Sequence, residues 1–255
     1  MKEISLSEEY LIDVSGTSDG SQDKYCKDGI WYKADNRRDE GFNEALVSRI
    51  LECSNLSADR YVTYEQILIN GRPGCCSSEF KRPAEEDISI YRLYANTRGG
   101  DIARILSGMD MDDAIEYTLS FIKEQTALDL REYLANILAL DRLTLNHDRH
   151  MNNISVIYDS KTGCFRECPV FDNGRTFFCG VKSYDPEKSV KENIKRIHFR
   201  PFSASAVLMT GYLKGSRTLI FDRTKLCSLV DGLEECTAKS VLKYQLNDPG
   251  LDYIR

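Results

Sequence analysis

The spacing of apolar residues divides this chain in two. In the first part the apolar positions come in short β-prone runs, "YLIDV" (10–14), "DKYC" (23–26) and "IWYKAD" (30–35). They are separated by "SGTSDGSQ" and the turn "KDG", which predicts a meander of three antiparallel strands. The period then changes: in "GFNEALVSRILEC" (41–53), Phe42, Ala45, Leu46, Ile50 and Cys53 share one helical face, so a helix follows the third strand. "RYVTYEQIL" and "DISIYRLY" return to strand character on either side of "NGRPGCCSSEFKRP", a Gly/Pro/Cys/Ser-rich stretch that reads as a loop. After "NTRGGD" the pattern is mainly helical. Residues 112–126 and 129–143 carry apolar groups three and four apart, as in Leu130, Tyr133, Leu134, Ile137 and Leu138, with Asp141 beyond them. Further helices are predicted at 185–197, about 203–213 and 232–245. The change of period near residues 95–101 predicts an α+β chain of two lobes, 1–97 and 98–255.

The helix over 129–143 delivers the chain into "NHDRHMNN" (146–153), where Asp, Arg, two His and three Asn take seven of eight positions. Two β-prone runs follow around "DSKTG", so "ISVIYDSKTGCFRECPVFDNG" reads as a hairpin. Centred between Thr162 and Gly163, the hairpin sets Asn153 opposite Asp172, with Cα atoms about 4.5 to 5.5 Å apart. An amide and a carboxylate at one spot are oxygen ligands for Mg²⁺, which takes its remaining ligands from water and phosphate. Asp148, five residues before Asn153, is then placed to accept a proton from an incoming hydroxyl during phosphoryl transfer. His150 reads as a support for this loop rather than a metal ligand. Arg149 can bind phosphate or pair with a carboxylate.

The spacing matches the Asp-x-x-x-x-Asn and later Asp-Phe-Gly of protein kinases, here Asp148 to Asn153 and Asp172-Asn173-Gly174. The first lobe fits the same order. The segment "SGTSDGSQDK" between two strands can fold its N–H groups and hydroxyls over phosphates, but with no Gly-Lys-[Ser/Thr] it is not a Walker A loop. Lys33 ends the third strand, where its ammonium would reach the α- and β-phosphates, and Glu44 on the following helix would hold it.

Composition narrows the alternatives. The chain has 255 residues, 42% apolar and 29% charged, as a globular protein does. A net charge of -6 and a pI near 5.3 give no overall basic field, which argues against bulk nucleic-acid binding and leaves room only for a local basic patch. The acidic N-terminus has no apolar h-region and no run of about 18 apolar residues occurs, so neither a secretory signal nor a membrane span is expected. Nine irregularly spaced cysteines read as reduced thiols of a cytoplasmic protein. Their spacing lacks a zinc pattern, and without a cysteine paired to a histidine a thiol-based enzyme is disfavoured.

Four stretches together resemble the HipA-like serine/threonine kinases. "GSQDK" (20–24) is similar to that family's Gly-x-Gln-x-Lys loop and "NHDRHMNNISVI" to its Asn-x-Asp-x-His-x-x-Asn segment; "NEALVSRIL" (43–51) and "VFDNG" (170–174) complete the likeness. The resemblance spans about residues 11 to 174 and implies a bilobed protein-kinase-like fold with ATP and Mg²⁺ as cofactors. It assigns ATP contacts to Gly20, Ser21, Gln22, Lys24 and Lys33, with Glu44 in support, catalysis to Asp148 and metal binding to Asn153 and Asp172. It also implies transfer to Ser or Thr of a protein, and autophosphorylation of the loop at Thr17, Ser18 or Ser15, Thr17 lying where a serine stands in the family pattern. Members commonly carry an extra N-terminal subdomain, so this chain resembles the short ones. The family includes toxin components held by DNA-binding antitoxins, which makes an antitoxin or other regulator a partner that the resemblance implies. "DRHMNN" is similar, too, to the Asp-Arg-His-x-x-Asn of phosphatidylinositol kinases, which keeps a lipid kinase as the alternative. A nucleotide-binding pseudokinase scaffold is the other.

Overall fold

The computed structural model describes residues 1–12 and 22–255. A five-stranded sheet forms the first lobe, from β1 (Lys2–Ile4), β2 (Lys24–Lys27), β3 (Ile30–Ala34), β4 (Glu65–Ile69) and β5 (Arg72–Ser78), in the order β1-β4-β5-β3-β2. Between β2 and β3 the turn falls on Asp28 and Gly29, both at positive φ (52° and 74°), the conformation that matches the right-handed twist of a hairpin.

Two expectations for this lobe are corrected. The run 10–14 is not a first meander strand over its described part: Tyr10 ends a 3₁₀ turn, Leu11 makes a single bridge to Tyr25, and Asp13 and Val14 lie outside the described residues. The fifth strand is instead β1, parallel to β4, which three residues without alternation could not announce. The stretch taken as a loop is the central strand β5. Asn70 and Gly71, at φ 52° and 76°, form a two-residue turn that folds β5 back on β4. The strand then reads Arg-Pro-Gly-Cys-Cys-Ser-Ser because a helix crosses it closely. A Cβ at Gly41 would lie 2.3 Å from the Gly74 carbonyl carbon, and one at Gly74 would lie 2.3 Å from the Lys33 oxygen. Small residues are what this crossing requires.

That helix is α1 (Glu40–Glu52), whose Leu46, Val47, Ile50 and Leu51 are buried. The chain leaves the first sheet after Ser78 and joins a second with β6 (Glu85–Ser89), so the change of sheet falls ahead of the expected division at 97/98. "DISIYRLY" is therefore only half strand. Ser89 accepts a hydrogen bond from the Arg92 N–H at 3.2 Å and caps α2 (Ile90–Arg98).

The second lobe continues with α3 (Ile102–Leu106), α4 (Met111–Thr126) and α5 (Arg131–Thr144), then β7 (Ser155–Asp159) and β8 (Cys164–Glu167). It ends with α6 (Val190–Ile194), α7 (Ala206–Tyr212), α8 (Arg223–Asp231) and α9 (Thr237–Gln245). The helices predicted at 112–126 and 129–143 are α4 and α5. Those at 185–197, 203–213 and 232–245 shrink to α6, α7 and α9, and α8 precedes the last of them without having been predicted. One apolar core runs from α1 through α4 and α5 to α9. Each fully buried Leu or Ile on α5, such as Leu134, Ile137 and Leu138, contributes about 1.5–3 kcal/mol. A smaller cluster of Val62, Tyr64 and Cys75, with Phe80 and Phe171 against it, spans the two lobes. The nine cysteines are free thiols, and among the described residues no helix is long and apolar enough to cross a membrane.

Candidate active site

Register puts two lysines side by side. Lys24 pairs with Lys33 across β2 and β3, and Lys33 pairs with Cys75 across β3 and β5, so all three lie on one face. The crossing of Gly41 over Gly74 brings α1 onto the sheet, and Glu44, one turn on, reaches Lys33: Nζ to Oε1 is 2.9 Å. From the other lobe Asp172 comes to 3.3 Å of the same nitrogen, and Lys33 also donates to the Tyr64 hydroxyl at 3.3 Å. Burial works against the Lys33 charge, but Glu44, then Tyr64 and Asp172, hold its ammonium well above the usual range. Burial likewise opposes ionisation of Asp172, yet Lys33, Lys24 and Arg149 outweigh it and bring the carboxyl down to about 2. Lys24, unlike Lys33, is lowered, by burial and by Lys33.

Asp172 has φ 59°, a left-handed conformation unusual for a residue with a side chain. It is held there by its neighbours. The Asn173 N–H donates to Glu44 Oε2 at 2.8 Å, and Asn43 Nδ2 donates to the carbonyls of Gly174 (3.1 Å) and Thr176 (3.2 Å). Gly174 suits this contact, since a Cβ there would approach the Glu40 oxygen at 3.3 Å, a tight fit.

On the side of the 146–153 loop Arg149 is fully buried and uses every N–H it has. It holds the Asp141 carboxylate with Nε and Nη2, both at 3.0 Å, and donates to the Asn153 oxygen (3.2 Å), the Phe171 oxygen (2.8 Å) and Asn173 Oδ1 (2.6 Å). One guanidinium thereby ties α5 to the segments carrying Asn153 and Asp172. Sequence reasoning left Arg149 open between phosphate and carboxylate; Asp141 takes it. The signal was present, because a carboxylate on the apolar stripe of α5 demands a buried cation.

The hairpin reaches this place by a different register than expected. Val156 pairs with Glu167 and Asp159 with Cys164, a shift of two in the sum of opposed residue numbers, and the ladder stops short of both Asn153 and Asp172. Four residues, 160–163, form the loop, with Gly163 at φ 70°. Asn153 and Asp172 are therefore drawn together by Arg149, not by strand pairing. Asn153 Nδ2 donates to the Asp148 oxygen at 3.1 Å, which leaves its Oδ1 as the atom a cation could use. Among the described residues no group of three or more His, Cys, Asp or Glu is placed to hold a metal. The donor set thus fits a hard ion that arrives with phosphate oxygens and water, as Mg²⁺ does with a nucleotide.

Asp148 is partly exposed and stands 3.6 Å from Arg200, which the sequence reading missed. His150 is half-buried, and its Nδ1 accepts from the Asn152 N–H at 3.3 Å. Gln22 turns away from the lysines and donates to Glu40 Oε2 at 3.3 Å. Gly20, Ser21, Thr17, Ser18 and Ser15 lie outside the described residues.

No family model and no curated protein sequence matches the chain. Among solved structures it is similar to a proinflammatory kinase, CtkA, of Helicobacter pylori. The TM-score is 0.64 at 15% identity, over 96% of this chain and 93% of that one. The fold is therefore a bilobed, kinase-like α+β fold.

Proposed function

We propose that this protein is an ATP- and Mg²⁺-dependent kinase of the HipA-like type, which transfers the γ-phosphoryl group to a Ser or Thr hydroxyl of another protein. The observation that carries the reading is Lys33 held between Glu44 at 2.9 Å and Asp172 at 3.3 Å, a cation joined to one carboxylate from each lobe. Lys33 would neutralise phosphate charge, with Glu44 fixing its position. Asn153 and Asp172 would hold Mg²⁺, which supplies charge neutralisation across the phosphate oxygens. Asp148 would orient the acceptor hydroxyl and take its proton. The hydroxyls at Ser15, Thr17 and Ser18 remain candidates for autophosphorylation, which would add about -1.5 to -2 charge over the nucleotide and weaken its binding.

Incubation with Mg-ATP followed by intact-mass and peptide mass spectrometry of the chain and of co-purifying proteins tests this. A +80 Da product (one phosphoryl group, HPO₃) that is absent with Asp148→Asn supports a kinase. Transfer to phosphatidylinositol vesicles instead of protein would make the chain a lipid kinase. Nucleotide binding with no transfer to any acceptor would make it a pseudokinase.

A further inference from the structure

Three arginines, of which Arg200 stands next to Asp148, contrast with saturated Arg149. Arg175 follows the Asp172-Asn173-Gly174 turn; its nearest carboxylate among the described residues, Glu40, is 3.7 Å away, too far for a hydrogen bond, and its buried Nε has no partner among them. Glu40 is already occupied, accepting from the N–H groups of Asn36 (3.0 Å) and Arg37 (2.8 Å) as well as from Gln22. Arg37 is exposed and donates only to the Gly180 carbonyl, at 3.4 Å, among the described residues. Arg200, 58% exposed at its side chain, faces Asp148 at 3.6 Å, again beyond hydrogen-bond length.

These groups converge. A Cβ at Gly180 would lie 2.9 Å from Arg175 Cζ and 2.9 Å from Arg37 Nη1, so both guanidiniums flank one glycine. His147, next to Asp148 in the chain, feels both Arg175 and Arg200: burial, then Arg175, and further on Arg200, hold its imidazole down to about 4, so it is neutral and adds no charge of its own. Its Nδ1 is buried without a partner among the described residues. The chain leading to Arg200 is basic in an acidic protein. From Lys182 to Arg200 there are six Lys or Arg against three Asp or Glu, while the whole chain carries -6.

We infer that Arg37, Arg175 and Arg200 form a subsite for the carboxylates of an acidic peptide segment, so that the acceptor Ser or Thr is chosen among Asp and Glu. This inference rests on the kinase reading, since it places the subsite next to the base that receives the acceptor. Guanidiniums with donors left over are the groups that bind carboxylates bidentately. Arg200 couples recognition to chemistry: a substrate carboxylate that takes Arg200 releases the Asp148 oxygen for the acceptor hydroxyl. A nucleic acid fits the same charge less well, because single strands need open aromatic faces for base stacking. Here Phe178 and Tyr184 stack on each other, with ring centroids 4.9 Å apart and planes 18° apart, and Phe178 and Phe199 are buried.

The test uses two synthetic peptides with one central Ser, flanked by Glu in one and by Gln in the other. Calorimetry without nucleotide should show the Glu peptide binding about tenfold tighter, the worth of one charge-assisted hydrogen bond or more. The preference should shrink as salt is raised. Arg200→Gln and Arg37→Gln should each remove most of it, Arg200→Lys should keep part, and thermal melts should stay at the wild-type midpoint because both side chains are exposed. With Mg-ATP, kcat/KM for the Glu peptide should exceed that for the Gln peptide in the wild type only. Equal affinities for the two peptides overturn the subsite, as does a preference untouched by both substitutions. Displacement of the Glu peptide by an oligothymidylate of equal charge that binds tighter overturns it in favour of nucleic acid. Preferential binding without phosphoryl transfer leaves the subsite standing and sinks the kinase reading; transfer without preference does the reverse.

Discussion

Two buried ion networks lie side by side in this protein, and they differ in how completely they are closed. Around Arg149 each of the five guanidinium N–H groups has an acceptor, and the carboxylate of Asp141 is matched by one cation. Around Lys33 a single ammonium faces two carboxylates, Glu44 and Asp172, and the Asp172 side chain is 34% exposed to the cleft. The first network is neutral and sealed, so it is a device for holding segments in place. The second counts Lys24 beside Lys33 as a further cation and has an open side at Asp172, where a cation with its phosphates would enter. Saturation separates scaffold from site more sharply than burial does, since Arg149 is fully and Lys33 largely enclosed.

Substitutions can test that contrast, and the largest effect should come from chemistry. Asp148→Asn should lower turnover by about 10² to 10⁴-fold, the range for removing a positioned base, with nucleotide affinity by calorimetry and the melting midpoint nearly unchanged. Asp172→Asn should abolish Mg²⁺-dependent transfer while the chain stays folded, and turnover within a few-fold of wild type would remove Asp172 from the metal site.

The sealed network should answer in stability instead. Arg149→Met leaves Asp141 buried without its cation, and breaking a buried pair in this way costs about 3–5 kcal/mol. Urea denaturation monitored by tryptophan fluorescence would read it. A loss below about 1 kcal/mol, the worth of a surface pair, would show that Arg149 is not the tie between α5 and the loops.

An intermediate effect is expected where the two networks share a support. Gly41→Ala puts a methyl 2.3 Å from the Gly74 carbonyl carbon, and α1 must lift off β5. Overpacking of this kind costs about 1–3 kcal/mol. Because Glu44 rides on α1, activity should fall as well, which a substitution elsewhere on the sheet would not do.

The smallest effect concerns Asp35, which accepts from the Gly41 N–H at 2.7 Å at the start of α1. Burial raises its carboxyl to about 6, against about 3.9 in the unfolded chain. The folded state therefore holds the proton more tightly, and the stabilisation is complete below about pH 4 and lost as pH rises through about 6. With the group half exposed, screening keeps it under about 1 kcal/mol. Melting midpoints of wild type and Asp35→Asn plotted against pH should differ in slope between about pH 4 and 6, and parallel plots would refute the shift.

Much of the site was readable from residue order. Lys33 at a strand end and Glu44 on the next helix follow from the switch of apolar period, and Asp148, Asn153 and Asp172 from their spacing around a hairpin. What pattern could not supply is shown by β5 and Arg200. The strand has no alternating apolar residues because both its edges are paired and α1 crosses it on glycine, so packing against α1 set its composition. Arg200 lies 52 positions after Asp148 on an irregular segment, and no local periodicity links the two.

The amino-acid sequence by itself determined the order of elements, the long helices α4 and α5, and which residue types stand at the ends of the hairpin, because these depend on neighbours three or four positions away. The tertiary structure alone decided that Lys33 meets Asp172 across the two lobes, that Arg149 serves Asp141 rather than a phosphate, and that the hairpin pairs two residues off the expected sum. Those outcomes depend on which charges are left unmatched once the core closes, and a buried charge takes the partner that the fold, not the chain order, brings within reach.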